Sequence, residues 1–355
     1  MTSTLLVRAA LTLLLAFMAA SACVQLHTPI PWMIGPLVAC ALASIFGWPT
    51  RSLVPLRNAG QWAIGTALGL YFTPQVTALV LSLWWAILLA IAWALGLGWL
   101  FGSWLQRANR SSLGDSFEQR HATSYFAGAI GGASEMTLLA ERAGAKTEMV
   151  ASAHSLRLLI VTLTVPFALT FSGWHGLDPT LPGARQVQLP GLALLLAATA
   201  VGAILLSRTR RANPWFMGAL LVAMGITMTG TELSALPPWM TNAAQLVIGV
   251  SLGVRFSAEF VRTAPRWLAS VAVGTVLMIL LCAAFALLLA WTCGLHWATL
   301  ILGTSPGGIA EMAITAKVLQ LGVPVVTAFQ VCRLVAVLVL VEPMYSRGWM
   351  RWLST

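Results

Sequence analysis

Asn58–Phe72 reads NAGQWAIGTALGLYF, and Asn242–Phe256 reads NAAQLVIGVSLGVRF. Asn, Gln, Ile-Gly and Leu-Gly recur at the same steps, so Gly65 falls on Gly249 and Gly69 on Gly253 at an offset of 184 residues. The agreement extends outward from this stretch. Upstream, IPWMIGPL at Ile30–Leu37 matches NPWFMGAL at Asn213–Leu220, at an offset of 183. Downstream, IGGASEM at Ile130–Met136 matches PGGIAEM at Pro306–Met312, and Arg157 matches Arg333, both at an offset of 176. Three blocks in one order at nearly constant offset are a duplication.

Composition says what was duplicated. The 355 residues are 59% hydrophobic and 8% charged, whereas a soluble domain is about one quarter charged. Apolar stretches with scattered Trp and Gly fill the chain, which predicts an all-α polytopic membrane protein. This excludes a soluble enzyme, a disulfide scaffold and a nucleic-acid partner. The net charge of +10 is spread between the apolar stretches and reads as membrane topology. Cys23, Cys40, Cys282, Cys293 and Cys332 show no Cys-x-x-Cys spacing, and the five histidines show no ligand spacing, so neither metal nor cofactor is expected.

Spans are expected near 6–24, 30–48, 57–73, 78–103, 149–172, 190–206, 212–230, 240–256, 267–293 and 323–344, with interrupted stretches at 121–140 and 297–321. If the interrupted stretches enter and return on one side, Arg8, Arg51, Arg57, Arg107, Arg110, Arg120, Arg142, Lys146, Arg208, Arg210, Arg211, Arg262, Arg266, Arg347 and Arg351 all lie on the cytoplasmic face, with Arg185 and Lys317 as exceptions. Full crossings would put the cluster at 208–211 outside. The expected architecture is about ten transmembrane helices plus two re-entrant or broken segments, as two inverted repeats of five spans each. The first membrane repeat is 6–172, the periplasmic connection 173–189, and the second repeat 190–345. Leu13–Cys23, although it looks like a signal-peptide cleavage region, is read as part of a retained first helix, because the repeat needs it.

The chemistry is expected at the interrupted stretches. Gly131 and Gly132 in one copy, and Gly307 and Gly308 after the helix-breaking Pro306 in the other, bare backbone groups in an apolar setting. Glu135 and Glu311 follow at matched positions, and a carboxylate there must be paired, protonated or bound to a cation. The bland reading is that each Glu caps its own broken helix. Arg157 and Arg333, each 22 residues further on, also need partners. The economical ones are the two glutamates, and an anion-binding role stands equally open. His121 and His154 are the two histidines near enough to be considered for proton or substrate work. The expected site is therefore a substrate or coupling-ion site at the repeat interface of a secondary transporter or permease. Its partners are the lipid bilayer, a small solute and a coupling proton or cation. The alternative is a membrane-embedded regulator of gene expression that acts indirectly and binds no DNA. No nucleotide-binding loop or nucleophile arrangement points to an enzyme.

The GGASEM and PGGIAEM segments, with the NAGQ and NAAQ blocks, resemble the AbrB-type bacterial membrane protein family, in which an AbrB duplication occurs twice. The resemblance spans roughly 9–345 and implies a membrane protein linked to gene regulation. That family is not similar to the small soluble DNA-binding AbrB regulators. Its ammonia monooxygenase label implies a copper or iron site for which no residue cluster is present. Where the family pattern has a Pro before Gly-Gly, the first copy has Ile130, so its break is expected to rest on Gly131 and Gly132.

Overall fold

A computed structural model describes residues 3–110, 113, 116–173, 186–209, 213–256 and 264–346. Most of the connection 173–189, together with Arg210, Arg211, Arg262, Arg347 and Arg351, lies outside the described residues. The chain is helical throughout what is described: α1 (Ser3–Gln25), α2 (Pro31–Ile45), α3 (Val54–Gly69), α4 (Pro74–Ser82), α5 (Trp84–Ala108), α6 (Phe117–Gly128), α7 (Ala133–Arg142), α8 (Thr147–Phe171), α9 (Leu189–Ser207), α10 (Pro214–Met228), α11 (Pro238–Gly253), α12 (Pro265–Cys293), α13 (Trp297–Thr304), α14 (Ile309–Leu319) and α15 (Val323–Ser346).

Six of these, α1, α5, α8, α9, α12 and α15, are long and apolar enough to cross a membrane, and α3 with α4 makes a seventh if that pair is one span. The pair bends by 90° between Gly69 and Pro74. The single span expected over 78–103 is thus two helices, parted at Leu83. The apolar helices α2 and α10 have 15 residues each, about 22 Å of rise, which is short of the roughly 30 Å hydrocarbon slab. The protein is a multi-pass inner-membrane protein with several apolar spans.

The duplication is visible helix by helix. α2 and α10 both begin with Pro, which suits the first helical position because its missing N–H has no intrahelical partner there. Both follow a left-handed residue, Ile30 at φ 48 and Asn213 at φ 44. The conformation is costly for a β-branched side chain and easier for Asn. Ile30 holds it while fully buried.

The chain forms two compact units, and each takes matching pieces from both copies. One contains Met1–Ser82, Pro166–Val261 and Ala313–Pro324; the other contains Leu83–Val165, Arg262–Met312 and Val325–Thr355. In the first unit α3 packs on α10 and α11 packs on α2. Glycine permits both contacts: a Cβ on Gly65 would strike the Phe216 carbonyl and one on Gly69 the Leu220 carbonyl, while Gly249 and Gly253 stand in the same way against Met33 and Leu37. Adding 183 to Met33 and Leu37 gives Phe216 and Leu220, so one contact is made twice. The neighbouring contact repeats as well, with Gly35 against the Ala19 carbonyl and Gly218 against that of Gly202. Small residues let backbones meet where no hydrophobic effect separates helix from lipid.

The second unit buries Phe101, Leu105, Phe126, Ile130, Met136, Trp267 and Val337 in one apolar core. Tyr125 Oη donates to the Val341 carbonyl at 2.9 Å, tying α6 to α15. Trp267 Nε1 donates to the Met149 carbonyl at 3.2 Å, tying α12 to α8. This unit carries both helix breaks.

Candidate functional site

α6 stops at Gly128 and α7 starts at Ala133; α13 stops at Thr304 and α14 starts at Ile309. Both stops turn extended in the same manner, Ala129 with ψ 136 and Ser305 with ψ 143. Pro306 enforces this at the second break, since the residue before a Pro is pushed out of the helical region. At the first break Ile130 stands there instead, and the backbone takes the same path. The last carbonyls of a helix have no partner within it. In a buried apolar setting they must find one elsewhere.

Arg157 supplies it at the first break. Its Nη1 donates to the carbonyls of Ala127 and Gly128 at 3.3 Å each, and its Nη2 to that of Ala129 at 2.8 Å. His154, one turn earlier on α8, spans the gap between helix end and guanidinium. Its Nε2 faces the Phe126 carbonyl at 2.9 Å and its Nδ1 faces Arg157 Nη2 at 2.7 Å. A carbonyl only accepts and a guanidinium only donates, so the ring is neutral with its hydrogen on Nε2.

The second break repeats the device with one change of chemistry. Arg333 Nη1 donates to the Ser305 carbonyl at 2.6 Å and Nη2 to that of Gly307 at 2.9 Å. Gln330 takes the place of His154. Its Nε2 donates to the carbonyls of Leu302 at 2.7 Å and Ser305 at 3.2 Å, while its Oε1 accepts from Arg333 Nη2 at 2.6 Å. Phe126 and Leu302 are themselves 176 residues apart, so an imidazole and an amide perform one task at equivalent positions.

The glycine pairs serve the opposite side of each break. Glu135 and Glu311 are the third residues of α7 and α14, and the carboxylate of each folds back over Gly132 and Gly308, occupying the space a Cβ would need. That is where the first amides of a helix point, and a negative charge there meets the positive helix end. The other glycine of each pair, Gly131 or Gly307, lies against the side chain of Met136 or Met312. Val161 of α8 also touches Gly307, so the first copy packs on the second copy's break.

All eight residues singled out with Pro306 by the sequence thus lie at the two breaks. The expected Arg–Glu pairing is corrected: among the described residues the partners of both guanidiniums are carbonyls and the neighbouring His154 or Gln330. The helix ends present several acceptors at once, and a forked, five-donor cation matches them better than a single carboxylate does. Gln330 was missed, because a His-to-Gln difference hides equivalence from a comparison of identical letters. Its spacing, three residues before Arg333, was the available signal. His121 lies away from the breaks, stacked between Phe117 and Tyr345.

Broken, charge-capped helices in a duplicated membrane chain define a class of polytopic protein with internal pseudo-symmetry. The chain matches the model of the family described as "Transition state regulatory protein AbrB" over residues 32–348, and it belongs to that family. It is 28% identical over 343 residues to the Bacillus subtilis (strain 168) protein YhjN, covering 89% of this chain and 86% of the relative. It is 24% identical over 316 residues to "Putative regulator AbrB" of Escherichia coli (strain K12), covering 88% of each. No solved structure matches. The helical architecture is distinct from the soluble DNA-binding AbrB fold. The family is described by regulation rather than catalysis, and among the described residues no group of His, Cys, Asp or Glu is placed to hold a metal ion.

Proposed function

We propose that this protein is an inner-membrane secondary transporter or permease for a small solute, with its site at the two helix breaks. The observation that carries this reading is the gathering of both breaks, with Glu135, Glu311, Arg157 and Arg333, in one unit built from both copies. Interrupted helices with charged side chains are tolerated within a membrane where they line a binding site. In this reading the copies 6–172 and 190–345 are inverted repeats of five spans, the connection 173–189 is periplasmic, and both termini are cytoplasmic. A coupling proton or cation belongs to Glu135 and Glu311. Purified protein in proteoliposomes, tested with small organic anions, amines and metal ions, should show saturable flux of one class. Its absence for every class defeats the reading.

A second reading has its own support and is the one the names favour. The family description and the Escherichia coli relative both speak of regulation. A membrane-embedded regulator would act on transcription indirectly. A deletion strain separates the two: an expression phenotype erased by supplying one metabolite follows from transport, and one that persists under every supply follows from regulation.

A further inference from the structure

The two arginines do not spend themselves equally. Arg157 and Arg333 are 3% and 6% exposed, and they are close enough to repel one another electrostatically. Arg157 directs its terminal nitrogens at three carbonyls and a ring nitrogen. Arg333 has a buried Nε–H with no partner. One further buried polar atom beside the second break shares that condition: Thr162, next to the Val161 that touches Gly307, has a fully buried hydroxyl without a partner.

Buried polar groups in native proteins are nearly always satisfied, so each such atom calls for an occupant. Arginine nitrogens only donate, and a threonine hydroxyl donates readily. A cation or an amine would add another donor or positive charge beside a guanidinium that a second guanidinium already repels. An oxyanion reverses every one of those terms. At the first break Arg157 has no such orphaned atom, and the position equivalent to Thr162 is the apolar Leu338.

Building on the solute site proposed above, we propose that the second break seats a small carboxylate-bearing anion recognised by Arg333, with Thr162 as a further donor. Arg157 holds its helix end and supplies long-range attraction. Glu311 and Glu135 remain on the amide ends of α14 and α7. The anion is therefore the cargo or its headgroup, and any coupling charge enters separately.

The test uses the full chain in nanodiscs at fixed ionic strength, with acetate, malonate, succinate and citrate as probes beside ammonium and sodium ions. At least one carboxylate should raise the melting temperature saturably at about 10 mM or below. Arg333→Lys, which keeps the charge and loses the fork, should weaken that carboxylate tenfold or more. Should Arg333→Lys fail to assemble, Thr162→Val serves in its place, with an expected several-fold weakening. No response to any carboxylate overturns the proposal. So does a saturable response to the cations alone, or unchanged carboxylate affinity in every variant that assembles. Binding without flux in proteoliposomes leaves the anion seat standing and removes the transporter reading. Cation flux without carboxylate binding does the reverse.

Discussion

At the first break Gly131, Gly132 and Glu135 are half-buried; at the second Gly307 and Glu311 are buried. The first is turned by glycines after an Ile and held by a His–Arg pair, the second by a Pro and a Gln–Arg pair. The backbones agree, and so do the carbonyl acceptors. What differs is solvent access and the number of donors left over. Duplication thus fixed a geometry, and the side chains around it diverged while the helix ends stayed satisfied.

Removing the arginines should produce the largest effect and the smallest contrast. Arg157→Leu or Arg333→Leu strands two or three buried carbonyls, at about 1–3 kcal/mol each. Both variants should lose on the order of 10 °C in detergent melting temperature. A stable Arg333→Leu beside an unstable Arg157→Leu would mean that only the first device is structural. Next in size is the glycine under each carboxylate. Gly308→Ala should cost about 1–3 kcal/mol because Glu311 is buried and cannot step aside, and Gly132→Ala less than half of that, since Glu135 has solvent to swing into. Equal losses would erase the claimed difference in access.

Charge removal then separates the breaks by function. Glu311→Gln should cut solute uptake at least tenfold, about 1.4 kcal/mol, and Glu135→Gln only a few-fold, with both proteins inserted normally. A larger loss in Glu135→Gln would reverse the assignment. The smallest effect is the exchange of bridging residues. His154→Gln should shift stability by less than about 0.5 kcal/mol, because Gln330 already performs that task, whereas His154→Ala should cost about 1–2 kcal/mol. Uptake against pH should keep its shape in His154→Gln. A profile that moves would make His154 a proton carrier after all.

Much of this was legible beforehand. The Gly pairs, with Pro306 in the second copy, located both breaks, and the Gly-x-x-x-Gly spacing of Gly65/Gly69 and of Gly249/Gly253 is a signal of a close-packing face. The partners of that face were not legible, because spacing within a helix does not say which helix it meets. The pairing of Arg157 and Arg333 was misjudged for a related reason. Sequence displays side-chain charges and conceals the carbonyl oxygens of a helix end, which here outcompete the carboxylates. The two compact units also cut across the copies, and three of their five borders fall inside helices: α8, α14 and α15 each pass from one unit to the other.

The reciprocal glycine contacts carry a consequence for ancestry and assembly. A patch that meets its own equivalent, with Gly65 on the partner of Met33 and Gly249 on Met33 itself, is the signature of an isologous dimer interface. The first unit is such a dimer within a single polypeptide. Two half-length chains would each carry one side of these reciprocal contacts. Co-expressed as separate genes, they should assemble without a covalent link.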